Sequence, residues 1–251
     1  CAGLKYVYDF PLPELNLAFL IYCFFGGISQ IIFTILLIYL FSFRSFAVGT
    51  IYSKTEVVQV AILSFILLGD EITFQAATAI FVSVIGVMIL SASQADTRVK
   101  DMYQNLFKKT TILGLTCGAF LGASSVFYRG AALSLDNTET LMKAAFTLSV
   151  ALAMQTIIMG IYIKIREPNQ ITKIIENWRP ALTVGISGVL GSICWFTAFT
   201  VQNAAYVRAL GQIELIFTFI SSIIFFKEKS NIKELVGIFL ITLAIIILLL
   251  D

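Results

Sequence analysis

A chain of 251 residues that is 59% hydrophobic, with a mean hydropathy of +0.93, is well beyond the ~45–50% apolar content of a soluble domain, and it reads as an integral membrane protein. Its net charge of +2 is small and its cations are dispersed between apolar runs, which excludes a nucleic-acid partner. There is no His, so His-based metal sites, His-activated nucleophiles and the commonest proton shuttle are excluded, and no cofactor or metal is expected.

A membrane-crossing helix needs about 20 apolar residues. Eight runs qualify, in chain order 15–43, 46–68, 73–93, 110–129, 143–163, 180–204, 205–226 and 233–250. Runs such as IIFTILLIYLF lack the alternation of a membrane β-barrel, so the expected fold is an all-α integral membrane bundle. The first and sixth runs are the longest. As straight helices they would reach roughly 40 Å at ~1.5 Å per residue, beyond a ~30 Å hydrocarbon core. They are expected to tilt, or to break at Gly26–Gly27 and at Gly185, Gly188 or Gly191. Cys1, Cys23, Cys117 and Cys194 show neither metal-ligand nor disulfide spacing and read as small packing residues.

A displacement of 158 residues lays 26–93 on 184–251 without a gap: SKTEVVQVAILSFILLGDE falls on GQIELIFTFISSIIFFKEK. Glu56 then meets Glu214, Ser64 meets Ser222, and Asp70 meets Glu228. The two Glu residues are five spans apart, an odd number, so the copies run antiparallel as an inverted repeat. The expected organisation is a first repeat at 1–95 with three helices, a connecting loop at 96–109, and a second repeat at 110–251 with five. That imbalance leads to the expectation of two further helices upstream, with Cys1–Pro13 as the end of the second.

The charges inside the spans carry the functional reading. An uncompensated charge at the centre of a membrane helix costs at least ~2.5–3.5 kcal/mol, and such residues persist where they pair or face water. On a continuous helix Tyr52, Thr55, Glu56 and Gln59 form one polar stripe, with Lys54 pointing elsewhere. In the seventh span Glu214, Thr218 and Ser221 share a stripe, beside one of Arg208, Gly211 and Gln212. These residues are expected to line a substrate route, with Trp195, Phe196 and Phe199 as candidate walls. The alternative is structural pairing of Lys54 with Glu56 and of Arg208 with Glu214. Arg129 is expected to end its helix and snorkel to the interface, and Asp70 and Glu228 to close helix ends.

Inverted five-helix copies with an acidic pair closing the fourth helix of each, LLGDE (67–71) and FFKEK (225–229), resemble the drug/metabolite transporter superfamily of EamA type. AALSL (131–135), the glycines of the third helices and Gly86 add to the likeness, which covers nearly the whole chain. A Pro common early in the family's fourth helix is replaced here by Lys54-Thr55-Glu56 and Gln212-Ile213-Glu214. The resemblance implies ten helices, a cavity between the repeats, ATP-independent movement of a small metabolite, and a bacterial inner (plasma) membrane.

Cations and anions together suit a zwitterion such as an amino acid, and protons are a candidate coupling ion through Glu56 or Glu214. The competing classes are a membrane-embedded enzyme and a non-transporting scaffold. Ser53 beside Lys54 points away from it, which disfavours a nucleophile–base dyad. Loops after the first, third, fifth and seventh spans hold twelve of the seventeen basic residues, against Lys5, Arg129 and Lys143 on the other side. The positive-inside rule makes the first set cytoplasmic. The resemblance implies two cytoplasmic termini instead, and the charge count is preferred.

Overall fold

The computed structural model describes residues 13–43, 46–94, 109–135, 139–227 and 231–250. The expectations for Cys1–Pro13 before its last residue, for Arg44, for nearly all of the 96–109 loop and for Glu228 lie outside them. Among the described residues every regular element is a helix. In chain order they are α1 (Leu17–Phe41), α2 (Phe46–Ser53), α3 (Glu56–Leu68), α4 (Phe74–Gln94), α5 (Lys109–Leu133), α6 (Thr140–Arg166), α7 (Pro168–Glu176), α8 (Trp178–Val201), α9 (Ala204–Gly211), α10 (Ile213–Phe226) and α11 (Ile232–Leu249).

All eight expected spans are present, with α2–α3 and α9–α10 each making up one of them. A backbone in lipid must satisfy its own hydrogen bonds, and only continuous or locally repaired helices do so. The long first and sixth spans do not break at their glycines: α1 runs 25 residues and α8 24 without interruption. Helices of that length fit a bilayer by tilting. The interruptions fall in the second and seventh spans instead. A further departure is α7, expected as loop: Ile171, Ile174 and Ile175 at helical spacing follow Pro168 in the first turn, where proline's fixed φ favours helix initiation.

Two compact units divide the chain. The first comprises residues 1–31 and 127–202, the second 32–126 and 203–251. In the first, Phe19, Cys23, Ala131 and Leu135 form a buried cluster against Phe146, Val150 and Met154. A second cluster centres on Tyr128, whose ring lies 4.6 Å from that of Phe196. The Tyr128 hydroxyl donates to Gln30 Oε1 at 2.8 Å, and Gln155 Nε2 donates to both, so this buried polar triangle is satisfied within lipid-crossing helices. Arg129 is not at a helix end, because α5 continues to Leu133. Its Nη1 donates to the carbonyls of Phe199 at 2.9 Å and Gln202 at 2.5 Å. It caps the C-terminus of α8, where orphan carbonyls and the helix dipole both favour a cation, rather than snorkelling.

In the second unit α4 and α11 make the principal core through Val87, Leu90, Ile241 and Ile245. They cross at Gly86 and Gly237, where a Cβ on either glycine would sit 2.9 Å from the other's carbonyl oxygen. Small residues permit this approach, which is how membrane helices gain packing energy without a hydrophobic drive between them.

Candidate functional site

The second and seventh spans are interrupted at matching places. After α2, Lys54 N bonds Ile51 O and Thr55 N bonds Tyr52 O. After α9, Gln212 N bonds Ala209 O. These i→i−3 bonds tighten the chain into single turns, and residues 54 and 212 differ by the repeat displacement of 158. Local chemistry explains the first break. Ser53 Oγ donates to Thr50 O at 2.8 Å and Thr55 Oγ1 to Tyr52 O at 2.7 Å, so side chains compete for the carbonyls of the helical ladder. At the second break Gly211 ends α9 and weakens the helix. The exits match as well: Gly69 after α3 has φ 67° and Lys227 after α10 has φ 53°, both left-handed caps at equivalent positions.

Each break is followed by a carboxylate in the first turn of the next helix, Glu56 in α3 and Glu214 in α10, where the helix dipole favours a negative charge. Both are paired, and the pairs cross between spans. Arg208 Nη2 donates to Glu56 Oε1, and Lys54 Nζ donates to Glu214 Oε1 at 3.1 Å. These ion pairs join the two spans, where the sequence alternative had Lys54 with Glu56 and Arg208 with Glu214. Residues two apart project to nearly opposite sides of a helix, and the breaks turn each charge towards the other span.

The two pairs differ in setting. The Arg208 and Glu56 side chains are only 13% and 4% exposed, whereas those of Lys54 and Glu214 are 27% and 58% exposed. One pair is packed inside and the other opens outward.

What seats Glu56 is a feature that the sequence reading passed over. Gly114, Gly118 and Gly122 recur every fourth residue along α5. A Cβ at Gly114 would run into the Gly49 carbonyl oxygen, one at Gly118 would lie 2.8 Å from Ser53 O, and one at Gly122 would lie 2.9 Å from Val60 Cγ2. This small-residue ladder lets α5 lie directly against the broken second span, and its fourfold period was the available signal.

The other expected residues divide. Gln59 Nε2 reaches Thr55 Oγ1 and Leu115 O, both at 3.4 Å, while its Oε1 is buried without a hydrogen-bond partner. Gln212 is 3% exposed and its Oε1 is in the same condition. Two orphan acceptors beside crossed ion pairs are costly in a packed interior. Tyr52 packs against Ile51, Met88 and Ala92. Thr218 bonds its own helix at Glu214 O, 2.8 Å away. Trp195 belongs to the other compact unit, its ring 5.7 Å from that of Phe199. Asp70 closes α3 as expected: Ser64 Oγ donates to its Oδ2 at 2.5 Å.

Taken as chemistry, the two breaks and the turns beside them bring together Lys54, Arg208, Glu56, Glu214, Gln59 and Gln212, neutral in sum. The profile of the EamA-like transporter family matches residues 108–250, more than half of the chain. No curated protein matches it.

Proposed function

We propose, because the chain belongs to the EamA-like transporter family, that it is a secondary transporter moving a small zwitterionic metabolite past the crossed ion pairs of its two broken helices. The observation that carries this reading is the Lys54–Glu214 pair, with more than half of the Glu214 side chain open. A carboxylate turned towards hydrocarbon at mid-span would be expelled or neutralised, so the open side of this pair faces a watery route. A substrate bearing one ammonium and one carboxylate replaces both members of the pair without leaving a buried charge uncompensated.

Support for an inverted repeat comes from the shared break positions, the shared left-handed exits and the α4–α11 crossing. There Ala244 and Ala79, both buried, occupy the positions equivalent to Gly86 and Gly237. In this reading the repeats are 1–95 and 110–251, and alternating access follows from their exchange of conformations. In this reading protons are the candidate coupling ion, through Glu56 or Glu214. The family likeness favours a bacterial plasma membrane as the membrane it crosses. Against an enzyme, Ser53 Oγ donates to Thr50 O and Lys54 Nζ to Glu214, which leaves no nucleophile–base contact between them.

Counterflow in proteoliposomes of the full chain tests the proposal. Saturable exchange of at least one zwitterionic amino acid is expected, and it should be lost in Lys54→Gln and in Glu214→Gln. Exchange restricted to purely cationic or purely anionic solutes would overturn the zwitterion reading, and no flux of any solute would overturn transport itself.

A further inference from the structure

Residues 164–179 form a corner unlike the rest of the molecule. Lys164 and Arg166 close α6, α7 follows, and Trp178-Arg179 open α8. On α7 the residues Ile171, Ile174 and Ile175 fall on one face, continued by Trp178, while Asn169, Thr172, Lys173 and Glu176 take the other. Ile174, Ile175 and Trp178 are all more than half exposed. An amphipathic helix with apolar side chains facing outward between two spans fits the plane of the membrane interface. A groove of about 570 Å³ lies where α7 meets α8. Lys173, Ile174, Asn177, Pro180, Ala181 and Val184 line it. Beside it the Arg179 guanidinium lies 5.5 Å from the Trp178 ring. The corner carries four cations against Glu167 and Glu176.

We infer that this corner is a binding site for an anionic phospholipid, whose phosphate meets Lys173 and Arg179 and whose acyl chains run along the exposed first turns of α8. The groove is almost wholly apolar, with Lys173 among its lining residues and Arg179 next in sequence to its Pro180 wall, so an amphiphile with an anionic head matches it better than a free anion or a soluble peptide does. The excess positive charge selects an anionic over a zwitterionic headgroup. Pro180, Ala181 and Val184, at helical spacing on the groove side of α8, supply the apolar track, and Val184 is 72% exposed. This site is independent of the transport reading, since it shares no residue with the ion pairs.

The chain has two tryptophans, so Trp195→Phe leaves Trp178 as an internal reporter. The full chain carrying that change is placed in phosphatidylcholine vesicles containing equal fractions of brominated phosphatidylglycerol or brominated phosphatidylcholine, whose bromines quench a contacting indole. Phosphatidylglycerol should be preferred on the order of fivefold per participating cation. Lys173→Gln with Arg179→Gln should bring that preference to about one while quenching by brominated phosphatidylcholine stays unchanged, marking a folded, inserted variant. Equal quenching by the two lipids in the parent chain overturns the assignment. So does an undiminished preference in the double variant, or no quenching by either lipid, which would put protein over this face. The parent-chain comparison decides by itself should the double variant not fold.

Discussion

Substituting Gln for each intramembrane Glu in turn separates the two ion pairs, because Gln keeps the shape and removes the charge. Glu56 is 3% exposed and its partner guanidinium is nearly as enclosed. Glu56→Gln therefore deprives a buried Arg208 of its Glu56 carboxylate, and breaking such a pair costs about 3–5 kcal/mol. At about 2–4 °C per kcal/mol for a chain of this size, the melting temperature should fall by about 6–20 °C. Glu214 is the opposite case. Its pair with Lys54 is substantially exposed, and such pairs contribute about 0–1 kcal/mol. Glu214→Gln should thus shift melting by no more than about 4 °C while abolishing counterflow. The assay is thermal unfolding of detergent-purified protein followed by size-exclusion fluorescence, beside counterflow on whatever protein survives reconstitution. A Glu56→Gln variant as stable as the parent, together with a strongly destabilised Glu214→Gln, would refute the assignment of one pair to structure and the other to the route.

The charge-reversed double variant Lys54→Glu with Glu214→Lys should recover part of the transport lost in either single change, as a double-mutant cycle on counterflow would read. Gly114→Ala should prevent accumulation of folded protein, since its methyl meets the Gly49 backbone and backbone cannot yield as a side chain does; overpacking of this kind costs about 1–3 kcal/mol or more. Gly160→Ala, with nothing within 4 Å of its Cβ, should be neutral or up to about 1 kcal/mol stabilising in the same melting assay. For orientation, in a chain stripped of native cysteines, Asn169→Cys should resist an impermeant thiol reagent on intact cells and Glu139→Cys should react; the reverse pattern would place the basic loops outside.

Composition and run length alone decided that this is a helical membrane protein, with eight candidate spans among the described residues. A chain in hydrocarbon has few ways to satisfy its backbone, and the length of a run must match the bilayer. The expected third span at 73–93 and the observed α4, Phe74–Gln94, differ by a residue at each end for that reason. The 158-residue displacement could also be proposed from the chain, because Glu56 and Glu214 are rare enough in apolar sequence for their alignment to carry weight. Tertiary structure decided what those charges do. A helical wheel assumes a constant turn of about 100° per residue, and the breaks at Lys54–Thr55 and Gln212 reset that phase, so the stripes read along the chain could not foretell that Glu56 meets Arg208 and Lys54 meets Glu214. Which pair is enclosed depends on how closely α5 approaches, and that closeness comes from glycines more than fifty residues away in sequence. Arg129 shows the same limit: a cation next to an apolar run looks like an interfacial anchor until the carbonyls at the end of α8 are found beside it. Spans follow from the solvent each residue must enter, a property of the chain alone; pairings follow from which helices touch, and only the folded molecule holds that.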